Sequence, residues 1–188
     1  MSWNIQLLPL ISTRVCLYRA KNRERIIVRH SREGKRFLLP GGKLNSHSLE
    51  TLEAGAKREV QQETLFHVDS LELIALLPCS RIVHVDSAEA RELGIAKRKV
   101  PAKGLPGLIT LDVVFAAAVT GELPTKLVEG RRVSEIRLDE KSIRSFKERH
   151  QRAAELCLEY LSSGKTELRS AERKLLGNFQ RLVLARAA

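Results

Sequence analysis

The sequence is poor in aromatic residues, in cysteine and in long apolar runs, and each shortage excludes a class of protein. Aromatic residues make up 4% of the 188 positions, so we expect a largely aliphatic core. The three cysteines lack the spacing of a zinc site or a disulfide framework, and we expect reduced thiols in a cytoplasmic protein. The longest apolar stretch, residues 113–119, is too short to cross a bilayer. No basic segment precedes the first apolar residues, so we expect no signal peptide.

The chain carries an excess of positive charge. It has 33 Lys and Arg residues against 22 Asp and Glu residues, a formal net charge of +11. A basic balance favours anionic partners, which include phosphorylated metabolites, nucleic acid and acidic membrane surfaces, but it also serves solubility alone. The hydrophobic content of 43% and charged content of 29% are typical of a soluble globular chain of one domain with an appendage.

The most informative stretch begins with a Pro-Gly-Gly turn at residues 40–42 and continues through a polar loop into a segment rich in carboxylates. Glu59 and Glu63 lie four residues apart and therefore share one face of the predicted helix. The aliphatic residues of the segment fall in a neighbouring sector, so the helix can bury an apolar stripe with oxygen ligands along its edge. Hard divalent cations such as Mg²⁺ bind to clusters of this kind.

The stretch from residue 37 to residue 64 resembles the Nudix box of the Nudix hydrolase family. The family pattern is Gly, five residues, Glu, seven residues, Arg-Glu, an aliphatic residue, any residue, Glu-Glu, any residue, Gly and an aliphatic residue. In this sequence Glu50 is separated by seven residues from Arg58 and Glu59. An aliphatic valine follows them, and Glu63 fills the position of the second paired Glu.

Three positions depart from the family pattern. Seven residues, instead of five, separate Gly42 from Glu50. Gln62 stands where the family has the first Glu of its pair, and Leu65 stands where the family has the Gly that ends the helix. Residues 42–66 therefore form a recognisable but degenerate box.

The resemblance implies a role for each matching residue. In the family, the box carboxylates and a glycine carbonyl bind Mg²⁺ or Mn²⁺, and the Arg orients a catalytic Glu. The implied metal ligands here are Gly41, Glu59 and Glu63, with Gln62 as a weakened ligand. Arg58 is implied to orient Glu59, which makes both catalytic residues. The alternative is an ordinary solvated face of an amphipathic helix.

Two further regions are candidates for the site. In the resembling family the segment before the last strand often carries acidic residues that reach the active site, so Glu129 and Glu135 are candidates for the general base, with Glu129 preferred. The alternative for either is a plain surface carboxylate. The loop at residues 94–107 contains prolines, glycines and three candidates for binding substrate phosphates or a nucleic acid backbone: Lys97, Arg98 and Lys99. The alternative is a solvated surface loop.

Periodicity and turn residues predict the secondary structure around the box. We expect strands at residues 13–19, 25–30, 36–39, 71–77, 108–120 and 128–138. The box helix is expected to run to Thr64 with Ser48 as its N-cap. A helix is expected over residues 139–163, with His150 as a satisfied, partly buried histidine on its inner stripe. Asp112 interrupts an otherwise apolar strand, so it must be paired, lie near a metal or lie at the entrance of the strand; the alternative is an edge position that faces solvent.

The resemblance implies a Nudix-type α/β/α sandwich with a mixed β-sheet over residues 1–163. A C-terminal amphipathic helix over residues 164–188 follows it and either docks on its own domain or on a second copy in a homodimer, or lies on a membrane or RNA. The implied function is Mg²⁺- or Mn²⁺-dependent hydrolysis of a phosphoanhydride bond in a nucleoside diphosphate linked to another moiety, for example a nucleotide sugar. The alternative is a Nudix-like module that binds nucleotide or RNA with weak or no catalysis.

Overall fold

The computed structural model describes residues 10–44, 50–81 and 108–164. The strands in these ranges are β1 (Leu10–Arg19), β2 (Asn22–His30), β3 (Phe37–Leu38), β4 (Glu72–Arg81), β5 (Leu108–Val119) and β6 (Val133–Arg137). The helices are α1 (Leu52–Thr64), α2 (Glu140–Ile143) and α3 (Glu148–Ser163).

The strands form one mixed sheet with β1 and β5 at its centre. These two strands run parallel, from Leu10 opposite Thr110 to Arg19 opposite Val119, and the other pairings are antiparallel. The order along the sheet is β3-β2-β1-β5-β4, and β6 pairs with β2. The central position of β5 explains its nearly continuous apolar sequence. β4 ends the order, so it can continue through Pro78, where we expected it to stop.

Helices cover both faces of the sheet. Successive residues of a strand point to opposite faces, so each strand contributes side chains to two cores. On one face, Val15 and Leu17 of β1 pack in a core with Val60 of α1. On the other face, Cys16 of β1 packs in a core with Cys157 of α3, and both of these thiols are free. The predicted α/β/α sandwich with a mixed sheet is therefore confirmed.

The start of α1 differs from the prediction. The N-cap is Thr51 and not Ser48, because the Thr51 hydroxyl accepts a hydrogen bond of 3.1 Å from the amide of Ala54. The helix ends at Thr64 as predicted. Leu65 follows in the left-handed conformation, with φ of 62°, so it takes the backbone shape for which the Nudix box uses glycine.

The single helix predicted for residues 139–163 is wrong, because the chain breaks it into α2 and α3. Between them the backbone pairs with β3: the Phe37 amide donates to the Ser145 carbonyl at 2.9 Å, and the Lys147 amide donates to the Phe37 carbonyl at 3.0 Å. These hydrogen bonds replace the helical ones that would have joined the two segments. Asp139 caps α2 by accepting a hydrogen bond of 2.7 Å from the amide of Ser142.

Some predictions concern residues outside the described ranges. These are the C-terminal helix at 164–188, apart from Gly164, and the basic loop that contains Lys97, Arg98 and Lys99. In the described part of the chain, no helix combines the length and the apolar content that a bilayer crossing needs.

We expect Phe146→Ala to lower the free energy of unfolding by about 3–5 kcal/mol, because its fully buried ring joins α2, α3 and β3 and its removal leaves a cavity. Urea denaturation followed by circular dichroism measures the change. Leu127→Ala is the matched control, since that side chain is 66% exposed, and we expect a change within about 0.5 kcal/mol. Equal losses in the two variants would contradict this packing.

Candidate active site

The Pro-Gly-Gly turn lies against β1. The amide of Val15 donates to the Pro40 carbonyl at 2.8 Å, and the amide of Thr13 donates to the Gly42 carbonyl at 2.8 Å. Gly41 has φ of 142°, and a Cβ there would collide with the Thr13 carbonyl. Only glycine therefore lets this turn approach β1 so closely.

Helix α3 also holds this turn in place, through a buried histidine. The Leu39 amide donates a hydrogen bond of 3.2 Å to Nδ1 of His150. His150 is 2% exposed, so it is more deeply buried than the sequence predicted. Because Nδ1 accepts this hydrogen bond, the ring is neutral and carries its proton on Nε2.

Arg58 ties three parts of the box together. Its guanidinium binds both carboxylate oxygens of Glu50, with Nε at 2.8 Å from Oε1 and Nη2 at 3.1 Å from Oε2. Its Nη1 donates to Oε1 of Glu59 at 2.6 Å and to Oε1 of Gln62 at 3.2 Å. These carboxylates raise the pKa of Arg58, with the hydrogen bonds to Glu50 as the largest cause. A bidentate pair of this kind restricts both position and orientation.

The carboxylates of Glu59 and Glu63 both lie against the Pro-Gly-Gly turn. A Cβ on Gly42 would occupy the place of the Glu59 carboxylate, so the missing side chain provides its space. Oε2 of Glu63 accepts a hydrogen bond of 2.9 Å from the Gly41 amide. Oε1 of Glu63 forms an ion pair with Nη1 of Arg29, a buried residue of β2.

Glu129 joins this group from the hairpin before β6. Val128 and Arg131 exchange backbone hydrogen bonds of 2.9 Å, so Glu129 and Gly130 form a two-residue turn with φ of 48° and 69°. The carboxylate of Glu129 is half exposed, and its Oε2 accepts from Nη2 of Arg29 at 3.0 Å. Positive φ is uncommon for a residue with a side chain, and such a backbone often marks a functional position.

This geometry agrees with the comparison to known proteins. A family model described as the NUDIX domain matches residues 9–157. The chain belongs to the Nudix family. Membership supports a pyrophosphohydrolase activity. No curated protein sequence matches the chain significantly.

Solved structures of Nudix proteins have a similar fold at low sequence identity. The mutator MutT protein from Bacillus halodurans is 14% identical, with a TM-score of 0.54 over 78% of this chain and 80% of that chain. A protein assigned to the Nudix hydrolase family from Chromobacterium violaceum is 16% identical, with a TM-score of 0.51 over 96% of both chains. At these identities the likeness shows the fold alone.

Nudix hydrolases use divalent metal ions, and the donor set here fits one. Glu59 and Glu63 supply carboxylates from one face of α1 at a single turn, which are the hard oxygen ligands that Mg²⁺ and Mn²⁺ bind. Within residues 10–44, 50–81 and 108–164, no cluster of three or more acidic, histidine or cysteine side chains is arranged to hold an ion. The two carboxylates are paired with arginines in this structure: Arg58 binds Glu59 and Arg29 binds Glu63.

Two acidic residues considered in the sequence pair elsewhere. Glu135 forms an ion pair of 2.6 Å with Arg19. Asp112 is buried, accepts a hydrogen bond from Ser12, and lies 3.6 Å from a guanidinium nitrogen of Arg14. The pairing predicted as one option for Asp112 is therefore confirmed.

The hairpin that carries Glu129 is flanked by a cavity of about 570 Å³. It is lined by residues 123–127 and 132–135, which precede and follow the hairpin. The lining combines apolar side chains such as Leu123 and Val133 with the cations of Lys126 and Arg132. Its volume is in the range of small-molecule pockets, although its lining is more polar than apolar.

Arg29 is the residue of this group that sequence reasoning missed. It follows the apolar run Ile26, Ile27 and Val28 in a strand, and it faces the same side of the sheet as Ile27. A cation at a position expected to be buried is the signal that would have identified it.

We expect acid to destabilise the fold through His150. Burial lowers its pKa to about 2, and the positive charges of Arg14, Arg149 and Lys147 act in the same direction. Histidine in the unfolded chain titrates near pH 6.5, at about its ordinary pKa. The unfolded chain therefore binds more protons below that pH, so the contribution of neutral His150 is complete above it and is lost as pH falls.

Urea denaturation between pH 7.5 and 5 measures this loss, which should reach about 1.4 kcal/mol per pH unit below pH 6.5. His150→Asn is the control, because its Oδ1 takes the place of Nδ1 and can still accept from the Leu39 amide without titrating. Its slope should be smaller by that amount, and equal slopes would show that another group causes the dependence.

Proposed function

We propose that the chain is a divalent-metal-dependent hydrolase that cleaves a phosphoanhydride bond in a nucleoside diphosphate linked to another moiety. The observation that carries this proposal is the meeting of Glu59 and Glu63 at the Gly41–Gly42 turn, with Arg58 clamping Glu59 to Glu50. The basic balance of the chain favours an anionic substrate of this class.

Glu59 and Glu63 would hold Mg²⁺ or Mn²⁺, with the Gly41 carbonyl and Gln62 as further oxygen donors. A bound ion neutralises charge that develops on the phosphoryl oxygens and lowers the pKa of an attacking water. The part of Arg58 is to keep Glu59 in one orientation, since a ligand with a fixed rotamer loses less entropy on binding.

Glu129 would accept the proton of the attacking water. Its carboxylate is half exposed and is held on the Glu63 side of the site through Arg29. A general base has to be accessible to water and held in one orientation. The exposure of Glu129 supports the first condition, and its ion pair with Arg29 supports the second. The cavity beside the hairpin is our candidate binding site for the group linked to the diphosphate, for example the sugar of a nucleotide sugar. Lys126 and Arg132 in its lining would then lie near the anionic part of the substrate.

We expect Glu59→Gln and Glu63→Gln each to reduce Mg²⁺- or Mn²⁺-dependent hydrolysis at least about tenfold, because each removes a charged ligand or its support. Turnover of a diverse panel of nucleotides and nucleotide sugars measures the effect, and circular dichroism checks the fold. Glu53→Gln on the same helix is the matched control and should leave turnover unchanged. Full activity of both site variants at saturating substrate would remove the box from the mechanism.

The second candidate function is a Nudix-like module that binds nucleotide or RNA with little catalysis. The observation in its favour is Gln62, whose neutral amide oxygen accepts from Arg58 where the family has a carboxylate. Binding of nucleotides or RNA without turnover in the same panel would favour this module.

We expect Gln62→Glu to tighten Mn²⁺ binding, because a further carboxylate beside the site attracts a doubly charged ion. Calorimetric titration of the metal-stripped protein measures it. Ala54→Glu adds the same charge to an exposed position of α1 and controls for a general charge effect. Equal affinity in the two variants would mean that position 62 contributes no ligand.

A further inference from the structure

The inference concerns Arg29, which lies in the interior next to the proposed metal ligands. It is 3% exposed and sits in β2 between Leu38 of β3 and Val133 of β6. Its side chain points to the face of the sheet that α1 covers, because Ile27, two residues earlier, packs in the same core as α1. A guanidinium in this position must be paired, since an isolated buried charge is strongly unfavourable.

The partners of Arg29 are carboxylates of the proposed site. Nη1 forms an ion pair with Oε1 of Glu63, and Nη2 donates to Oε2 of Glu129 at 3.0 Å. Burial and the neighbouring Arg131 lower the pKa of Arg29, whereas the negative charges of Glu129 and Glu59 raise it. Three acidic residues thus act on one buried cation.

We infer that Arg29 is an internal counter-cation of the proposed metal site, one that stabilises its carboxylates in the absence of an ion and weakens the binding of a divalent ion. The inference rests on the proposed metal-binding role of Glu63. Arg29 is a positioning residue in this account, because it acts through Glu63 and Glu129.

The direction of the effect follows from charge. A doubly charged ion bound by Glu63 would lie close to the guanidinium that occupies the other side of the same carboxylate, and like charges repel. Burial reduces the screening of this repulsion by solvent and salt.

Loss of the guanidinium leaves the ligand in place. Glu63 keeps the hydrogen bond from the Gly41 amide and its position at the C-terminal end of the buried face of α1. The loss of repulsion should therefore outweigh the loss of orientation when Arg29 is replaced by a neutral residue.

The test compares neutral and charged replacements in the full-length protein, stripped of metal and titrated calorimetrically with Mn²⁺. We expect Arg29→Met and Arg29→Gln to bind Mn²⁺ at least about tenfold more tightly than the wild type. Arg29→Lys keeps the charge and should remain within about threefold of the wild type. Arg25→Met removes an exposed arginine from the same strand and should also remain within about threefold.

Thermal unfolding is the second measurement, and it does not depend on turnover. Without metal, Arg29→Met should melt at a lower temperature than Arg25→Met, because Glu63 is then buried without its cation. Saturating Mn²⁺ should raise the melting temperature of Arg29→Met by more than that of the wild type, since tighter binding to the folded state stabilises it more.

The outcomes separate this inference from the proposed function. Wild-type binding of Mn²⁺ with equal or weaker binding in both neutral variants would overturn the counter-cation role and leave the metal site intact. Saturable binding in the neutral variants alone would support it. No binding in the wild type or in either neutral variant would overturn both. Where Arg29→Met fails to fold, tighter binding by Arg29→Gln than by Arg29→Lys supports the inference, and equal binding overturns it.

Discussion

The rest of the site depends on one constraint, which is that carboxylates enclosed between α1 and the Pro-Gly-Gly turn require cationic partners. Glu59 is paired with Arg58, and Glu63 is paired with Arg29. Both arginines also bind a second carboxylate, so each joins α1 to another part of the chain. In this way, compensation of charge also helps to fix the positions of Glu50 and of the hairpin before β6.

The site also depends on the absence of side chains at Gly41 and Gly42 of the turn. Gly41 passes so close to β1 that a side chain would strike the Thr13 carbonyl, and the Glu59 carboxylate occupies the space that a side chain on Gly42 would need. The carboxylates can therefore approach the backbone at the point where the chain leaves the sheet. Buried His150 supports the same turn from the opposite layer, so all three layers of the sandwich contribute to its position.

Much of the fold could be predicted because local patterns were strong. The apolar run of β5 indicated a central strand, and the spacing of Glu59 and Glu63 placed both on one helix face. The largest error occurred where distant contacts replaced local ones. The break between α2 and α3 arises because the backbone of Ser145 and Lys147 pairs with Phe37, more than a hundred residues away, and helical periodicity contains no information about such a partner.

The sequence by itself determined the family, the box and the two carboxylates that face the turn, because these follow from residue types at fixed short spacings. The resemblance to the Nudix box implied Arg58 as one of the cations that neutralise them. Only the tertiary structure decided the other, because Arg29 comes from β2 and reaches Glu63 and Glu129 through the packing of the sheet against α1. Charges interact through space and not along the chain, so the pairing of buried charges becomes visible only when the elements are assembled.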